Sequence, residues 1–262
     1  MRKVAIVTGG SSGIGKLVAK LLSESDYTVY DFSRSGTSAE DVNHIFCDVS
    51  DESSVVSSVN RVVELSGRID LVINNAGMGI SGAVEYSKSS DVIKQFDVNF
   101  FGCYYICKAC IPYLRENRGR IVNICSVASD IPIPFQAFYS SSKAAVFSMS
   151  SALANELKPF GISVTSVLPG DVKTGFSANR IKDSEGNTLY DGRIEKSVSL
   201  MEEDEQSGMS AEYVASKIVG ISLKNRVKPK YIIGFKYKIF SLLFKLLPLS
   251  LSNRIVGLIY AN

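Results

Sequence analysis

Tryptophan is absent from the 262 residues, which by itself decides nothing. Other scarcities exclude more. Histidine occurs once, as His44, and no second cysteine pair accompanies Cys107-Lys108-Ala109-Cys110, so no metal site is expected. No run of about 20 uninterrupted apolar residues exists, and no membrane-spanning helix is predicted. The apolar run near the N-terminus, Lys3–Thr8, has strand length and no cleavage site follows it, so a secretory signal is not expected. Five cysteines is an odd number and reads as reduced thiols of a cytosolic protein. Cys103, Cys107 and Cys110 share one face in the middle of a helical pattern, which favours buried small side chains over a redox centre. Acid is missing from one region: from Tyr213 onward there are nine Lys or Arg and no Asp or Glu. The rest of the chain carries 20 basic and 26 acidic residues. Such a tail attracts phosphates or an anionic membrane, or is a solvated surface. It contains no recognised nucleic-acid reading motif, and no nucleic-acid partner is expected.

What is present is a core-forming composition, 45% hydrophobic and 21% charged. Strand and helix patterns alternate along it. Strands are predicted at Lys3–Thr8, Tyr27–Phe32, His44–Cys47, Ile69–Ile73, Arg120–Cys125 and Ile162–Val167, with a last short one at Tyr231–Ile233. Helical spacing covers Ile14–Ser25, Ser54–Leu65, Asp91–Arg115 and Tyr139–Lys158. Repeated strand–helix–strand units predict an α/β fold with a doubly wound parallel sheet of Rossmann type. One domain over 1–262 is expected, since no composition break divides it. Gly175–Gly208 breaks the rhythm, and the segment 175–210 reads as a substrate loop or lid; 235–262 reads as an apolar, basic tail.

Thr8-Gly9-Gly10-Ser11-Ser12-Gly13-Ile14-Gly15 joins the first strand to the first helix. Glycines allow a tight turn and the close approach of a phosphate, and the helix start offers unpaired N–H groups. Its place between a strand and a helix supports dinucleotide binding. Further on, Tyr139 and Lys143 lie one helical turn apart on one face. A tyrosine phenol is a poor acid–base at neutral pH, and a neighbouring ammonium favours its phenolate, so the pair is a candidate for proton transfer.

These segments resemble the short-chain dehydrogenase/reductase family. The glycine turn fits TGxxxGxG, Asn74-Asn75-Ala76-Gly77 fits NNAG, and Asp97-Val98-Asn99-Phe100-Phe101-Gly102 contains NxxG. Tyr139-Ser140-Ser141-Ser142-Lys143 is YxxxK, and Pro169-Gly170-Asp171-Val172-Lys173-Thr174 fits PGxVxT. The resemblance covers about residues 3–174 in order. It implies catalytic roles for Ser126, Tyr139, Lys143 and Asn99, with Ser129 as a nearby competitor of Ser126. Ser126 would hydrogen-bond the substrate oxygen, Lys143 would also hold the nicotinamide ribose, and Asn99 would place a relay water. It implies cofactor contacts from Gly9, Ser11, Ser12, Gly13, Ile14, Gly15, Asp48, Val49, Asn75, Ala76, Gly77, Pro169, Gly170, Val172 and Thr174, besides Tyr139 and Lys143. In the family's register Ser33 replaces the NAD-selecting acid and Arg34 follows it, which favours NADP(H) through the 2′-phosphate. The alternative is NAD(H), with Asp31 as the selecting acid and Arg34 at the surface.

The expected activity is interconversion of a carbonyl and a secondary alcohol. Phe135, Phe138 and Phe176 near the site suggest a lipophilic substrate, steroid-like or long-chain. Rival readings are an NAD-dependent alcohol dehydrogenase, an epimerase or dehydratase keeping its cofactor, and a non-enzymatic dinucleotide sensor. The family resemblance also implies a homodimer or homotetramer, through the two long helices. In the tail, Lys238, Ser241 and Lys245 fall on one helical stripe of the broadly apolar Ile239–Leu247. That segment packs on the domain or a neighbouring subunit, roofs an apolar pocket, or makes peripheral membrane contact. The location read from these features is cytoplasmic, with membrane association as the open variant.

Overall fold

The β-branched run Lys3–Thr8 forms β1, an interior strand of the sheet. The computed structural model describes residues 2–39 and 41–261. After β1 come α1 (Gly13–Ser23), β2 (Tyr27–Ser33), β3 (Val42–Phe46), α2 (Glu52–Ser66), β4 (Leu71–Asn74) and the two-residue β5 (Ile80–Ser81). Then follow α3 (Ser89–Phe96), α4 (Gly102–Asn117), β6 (Arg120–Ile124), α5 (Ala137–Leu157) and β7 (Ser163–Pro169). The last part holds β8 (Val172–Lys173), β9 (Ile181–Lys182), α6 (Arg193–Gln206), β10 (Met209–Ser210), α7 (Ala211–Ser222), β11 (Lys230–Ile233), α8 (Phe235–Leu246) and α9 (Leu249–Tyr260).

The main sheet has the order β11-β7-β6-β4-β1-β2-β3, and every recorded pairing in it is parallel. Successive side chains of a strand point to opposite faces. Val4 and Ile6 therefore pack with α2, α4 and α5 through Val59, Ile106, Leu114 and Val146. Ala5 and Val7 face the other way and meet Val18 and Leu22 of α1 and Val214 and Ile218 of α7. The chain leaves β1 toward β2 on one side and later places β4 on its other side. That reversal opens a crevice at the carboxyl ends of β1 and β4, where doubly wound sheets bind ligands.

The predicted strands and helices are all present, with ends moved by a residue or two. The long helix expected over Asp91–Arg115 is interrupted by a π-helical turn, Asp97–Phe101, which carries Asn99. The Gly175–Gly208 segment is not all loop. Ile194, Val198 and Met201 recur at helical spacing and are buried, so its second half folds as α6. Helix α7 follows with Ser210 as its N-cap, the hydroxyl accepting from the amide of Tyr213 at 3.2 Å.

Candidate active site

The glycine turn lies at the crevice. Gly9 and Gly13 have φ of +65° and +51°, which L side chains rarely adopt. A Cβ on Gly15 would fall 2.2 Å from the carbonyl oxygen of Gly9, so α1 approaches the turn at a distance that only glycine permits. Nothing lies within 4 Å of where a Cβ on Gly13 would be. Ser12, the N-cap of α1, makes no side-chain cap hydrogen bond, so no cap hydroxyl occupies the first-turn amides. An open space before uncapped amides at a positive dipole end suits a phosphate, and the cradle fits a dinucleotide. Thr8 ties this turn to β4: its buried hydroxyl oxygen accepts from the amides of Asn75 and Ala76, both at 2.9 Å. The Asn75 side chain donates back to the carbonyl of Thr8 at 3.1 Å.

At the end of β2, Ser33 and Arg34 differ in placement. Ser33 is buried and donates to Asp31 Oδ2 at 2.7 Å, whereas Arg34 is exposed. Asp31 is itself buried, its other oxygen packed where a Cβ on Gly10 would lie only 2.6 Å away. Asp48 holds the loop after β3, accepting from the Ser50 amide at 3.0 Å, and buried Val49 lies against Gly102.

Ser126, Tyr139, Lys143 and Asn99 come from three parts of the chain; the first three line one cleft, and Asn99 stands behind Lys143 at an adjoining small cavity. Ser126 follows β6, and its hydroxyl accepts from the Ala128 amide at 3.1 Å. Tyr139 and Lys143 stand on the first turns of α5 and line the cleft with Ser126. Lys143 is buried and its Nζ donates to the carbonyl of Ile124 at 2.9 Å. Asn99 is buried; its Oδ1 accepts from the Met78 amide at 2.8 Å and its Nδ2 donates to the Met78 carbonyl at 2.9 Å. Oδ1 of Asn99 and Nζ of Lys143 both lie within 3.4 Å of where a Cβ on Gly77 would stand. Asn99 and Lys143 also line an enclosed cavity of about 10 Å³, near the size one water requires. Ser129 serves a different purpose from Ser126: its hydroxyl accepts from the Ser126 amide in the capping arrangement of this turn.

The titration of Tyr139 runs against the expectation from its lysine. Burial pushes the phenol up to about 12, and the Ser126 hydroxyl and the Arg180 charge only partly offset this. Burial also pulls Lys143 down, which weakens the ammonium as a partner. The protein's own groups therefore hold Tyr139 as the neutral phenol.

The cleft measures about 160 Å³. Ile14, Asn75, Gly77, Pro169, Gly170, Val172 and Thr174 line its cofactor side, and Ile133, Phe176, Met201, Asp171, Glu205 and Tyr260 line the rest.

A family model described as short chain dehydrogenase matches residues 3–185. The chain belongs to the short-chain dehydrogenase/reductase family. It is 41% identical over 223 residues to a 3-ketodihydrosphingosine reductase of Bacteroides thetaiotaomicron, covering 84% of this chain and 83% of that protein. A short-chain dehydrogenase from Streptomyces avermitilis superposes with a TM-score of 0.83 at 26% identity, covering 94% of this chain and 92% of that one. ElxO, solved with NADP bound, superposes with a TM-score of 0.76 at 26% identity, covering 91% and 100%. This member is thus an oxidoreductase of a family that uses NAD(P)(H).

Several residues of this short-chain dehydrogenase/reductase cleft escaped the sequence reading. Glu205 on α6 accepts from Ser177 and from Arg180. Arg180 is buried, with its guanidinium 5.8 Å from the Phe176 ring, and Phe176 in turn stands 5.7 Å from the Tyr139 ring. The hydroxyls of Tyr237 and Tyr260 donate to Asp171 and Asp204. The acidic run Glu202–Glu205 was the one signal available, and it did not show which acid turns inward. Of the three phenylalanines, Phe176 lines the cleft, while Phe135 packs edge-on against Tyr190 at 5.7 Å. Ser241 lies on the same helical stripe as Lys238 and Lys245 but at its inner edge. It is buried and donates to Asp130 at 2.6 Å. Cys103, Cys107 and Cys110 are buried free thiols on α4, as read.

Proposed function

We propose that this protein uses NADPH to reduce the ketone of a long-chain substrate carrying an amino group near the carbonyl, as in 3-ketodihydrosphingosine. The observation that carries this reading is the two-sided cleft wall beside Tyr139. Ile133, Phe176 and Met201 supply apolar surface, and the Asp171 carboxylate, which takes only the neutral Tyr237 hydroxyl at close range, supplies negative charge suited to an ammonium; Glu205 is neutralised by Arg180. The name of the 41% identical relative agrees with that chemistry. Exposed Arg34 at the end of β2 favours a 2′-phosphate, and ElxO binds NADP on the same fold. Asp31 is already engaged inside, which argues against the NAD reading.

The glycine turn, Ser33 and Arg34, Asp48 and Val49, Asn75–Gly77, Lys143 and Pro169–Thr174 would hold the cofactor. NADPH, when bound, supplies the hydride. The Ser126 hydroxyl hydrogen-bonds the ketone oxygen and stabilises the charge that develops there. Tyr139 gives its phenolic proton to that oxygen as the carbon gains hydride, leaving an alcohol and a phenolate. Lys143, Asn99 and a water in the small cavity between them return a proton to Tyr139. The segment 175–210 forms the substrate wall through Phe176, Met201 and Glu205, with Arg180 held behind them by Glu205.

The test is NADPH consumption by the purified protein with 3-ketodihydrosphingosine and with the matching long-chain ketone lacking the amine. The amino ketone is expected to have the higher kcat/KM, and equal values would remove the amine from the reading. No turnover of either would overturn the substrate class.

A further inference from the structure

Helix α8 is inside out. On α8 the residues turned to the protein are Tyr237 and Ser241, whose hydroxyls donate to Asp171 and Asp130. Its large apolar residues point to solvent: Phe235 is 79% exposed, Leu246 75% and Leu242 61%. At about 100° per residue, Ile239, Leu242 and Leu246 centre on the face opposite Tyr237. Lys238 and Lys245 fall on one flank of that face and Lys236 on the other. Helix α9 buries Ser252 and Val256, and on its other side Leu251 and Leu258 are 44% and 61% exposed, beside exposed Arg254. An exposed apolar face of this extent marks an interaction site.

We infer that the exposed faces of the consecutive helices α8 and α9 dock on an anionic lipid bilayer, with the apolar face of α8 entering the interface. Charge selects this occupant. The two helices carry Lys236, Lys238, Lys245 and Arg254 and no acid, so two copies meeting face to face would oppose like charges. An anionic headgroup layer complements the same cations, and lysines flanking an apolar face reach headgroups while the face enters the acyl boundary. Length selects the mode. Twelve-residue helices are about 18 Å long, short of the ~30 Å hydrocarbon core, so they rest on a bilayer without crossing it. The arrangement also reaches the site, because Tyr260 at the end of α9 lines the catalytic cleft. The inference stands independently of any substrate assignment.

The experiment is co-sedimentation of the full chain with phosphatidylcholine vesicles and with vesicles containing phosphatidylglycerol, at low and high salt. Light scattering of the protein alone is measured alongside. Binding to the phosphatidylglycerol vesicles is expected, weakened by salt and several-fold weaker on neutral vesicles. Leu242→Asp/Leu246→Asp and Lys238→Glu/Lys245→Glu, all at exposed positions, should each lose most of it while NADPH binding is retained. The inference is overturned if the wild type stays in the supernatant, or if both variants bind as well as it does. It is equally overturned if light scattering shows a dimer that Leu242→Asp/Leu246→Asp converts to monomer, which would assign the face to a second copy.

Discussion

Nδ1 of half-buried His44 lies 3.0 Å from Oδ2 of buried Asp31, the two residues paired across β3 and β2. The chain's single histidine thus occupies the acid that would otherwise be the candidate for the ribose hydroxyls of NAD. On the proposed reading, cofactor choice then falls to Arg34. Arg34→Ala should lose about 10- to 100-fold in NADPH affinity, the worth of charge-assisted hydrogen bonds of about 1.5–3 kcal/mol, and leave NADH affinity nearly unchanged. Asp31→Asn should preserve the preference for NADPH. Titration of nicotinamide fluorescence with both cofactors checks this, and loss of preference only in the Asp31 variant would reverse the assignment.

Tyr139 is held near a pKa of about 12 by burial, with Ser126 and Arg180 pulling it down and Glu205 pushing it up. A raised pKa keeps the phenol protonated through neutral pH. Reduction consumes that proton, so the unliganded enzyme is already in the state reduction requires. Alcohol oxidation requires the phenolate and gains as pH rises toward the pKa. The tyrosinate absorbance difference between wild type and Tyr139→Phe, without cofactor, should therefore emerge only far above neutrality. A component titrating near pH 7 would contradict the burial argument.

Arg180 and Glu205 form a buried ion pair behind Phe176. Removing one partner strands the other charge. Glu205→Leu is expected to cost about 3–5 kcal/mol in unfolding free energy, and Arg180→Met/Glu205→Leu should recover most of the loss. Urea unfolding of both variants measures it. A single variant as stable as wild type would show the pair to be solvated.

Gly15→Ala places a methyl group 2.2 Å from a backbone oxygen, which no side-chain rotation relieves. Binding of either dinucleotide should fall at least tenfold, with calorimetry as the readout. Gly220→Ala, at an α7 position with open space, serves as the control and should leave binding unchanged.

Much of this was legible in the chain. The alternation of β-branched runs with helical spacing marked every strand of the main sheet, because parallel strands buried on both faces read as near-continuous apolar runs. Gly15, Tyr139 and Lys143 were legible because turn geometry and one-turn helix spacing are local properties. The cleft wall was not. Arg180, Glu205 and Tyr260 reach Tyr139 only through tertiary folding, and no local motif announces them. Nor was the direction of the Tyr139 shift legible, since the spacing to Lys143 is written in the sequence and the burial that outweighs it is not. The orientation of α8 was not legible for a related reason: the hydroxyls of Tyr237 and Ser241 turn inward to carboxylates, so the usual rule for which face is buried fails there.

The claim that this cleft reduces a ketone with Tyr139 as the proton donor is tested most directly by single-turnover reduction of the amino ketone with Tyr139→Phe. NADPH affinity should stay within about twofold of wild type while the rate falls about 10²- to 10⁴-fold, the span associated with a lost general acid. A variant that reduces the ketone at the wild-type rate would contradict the account.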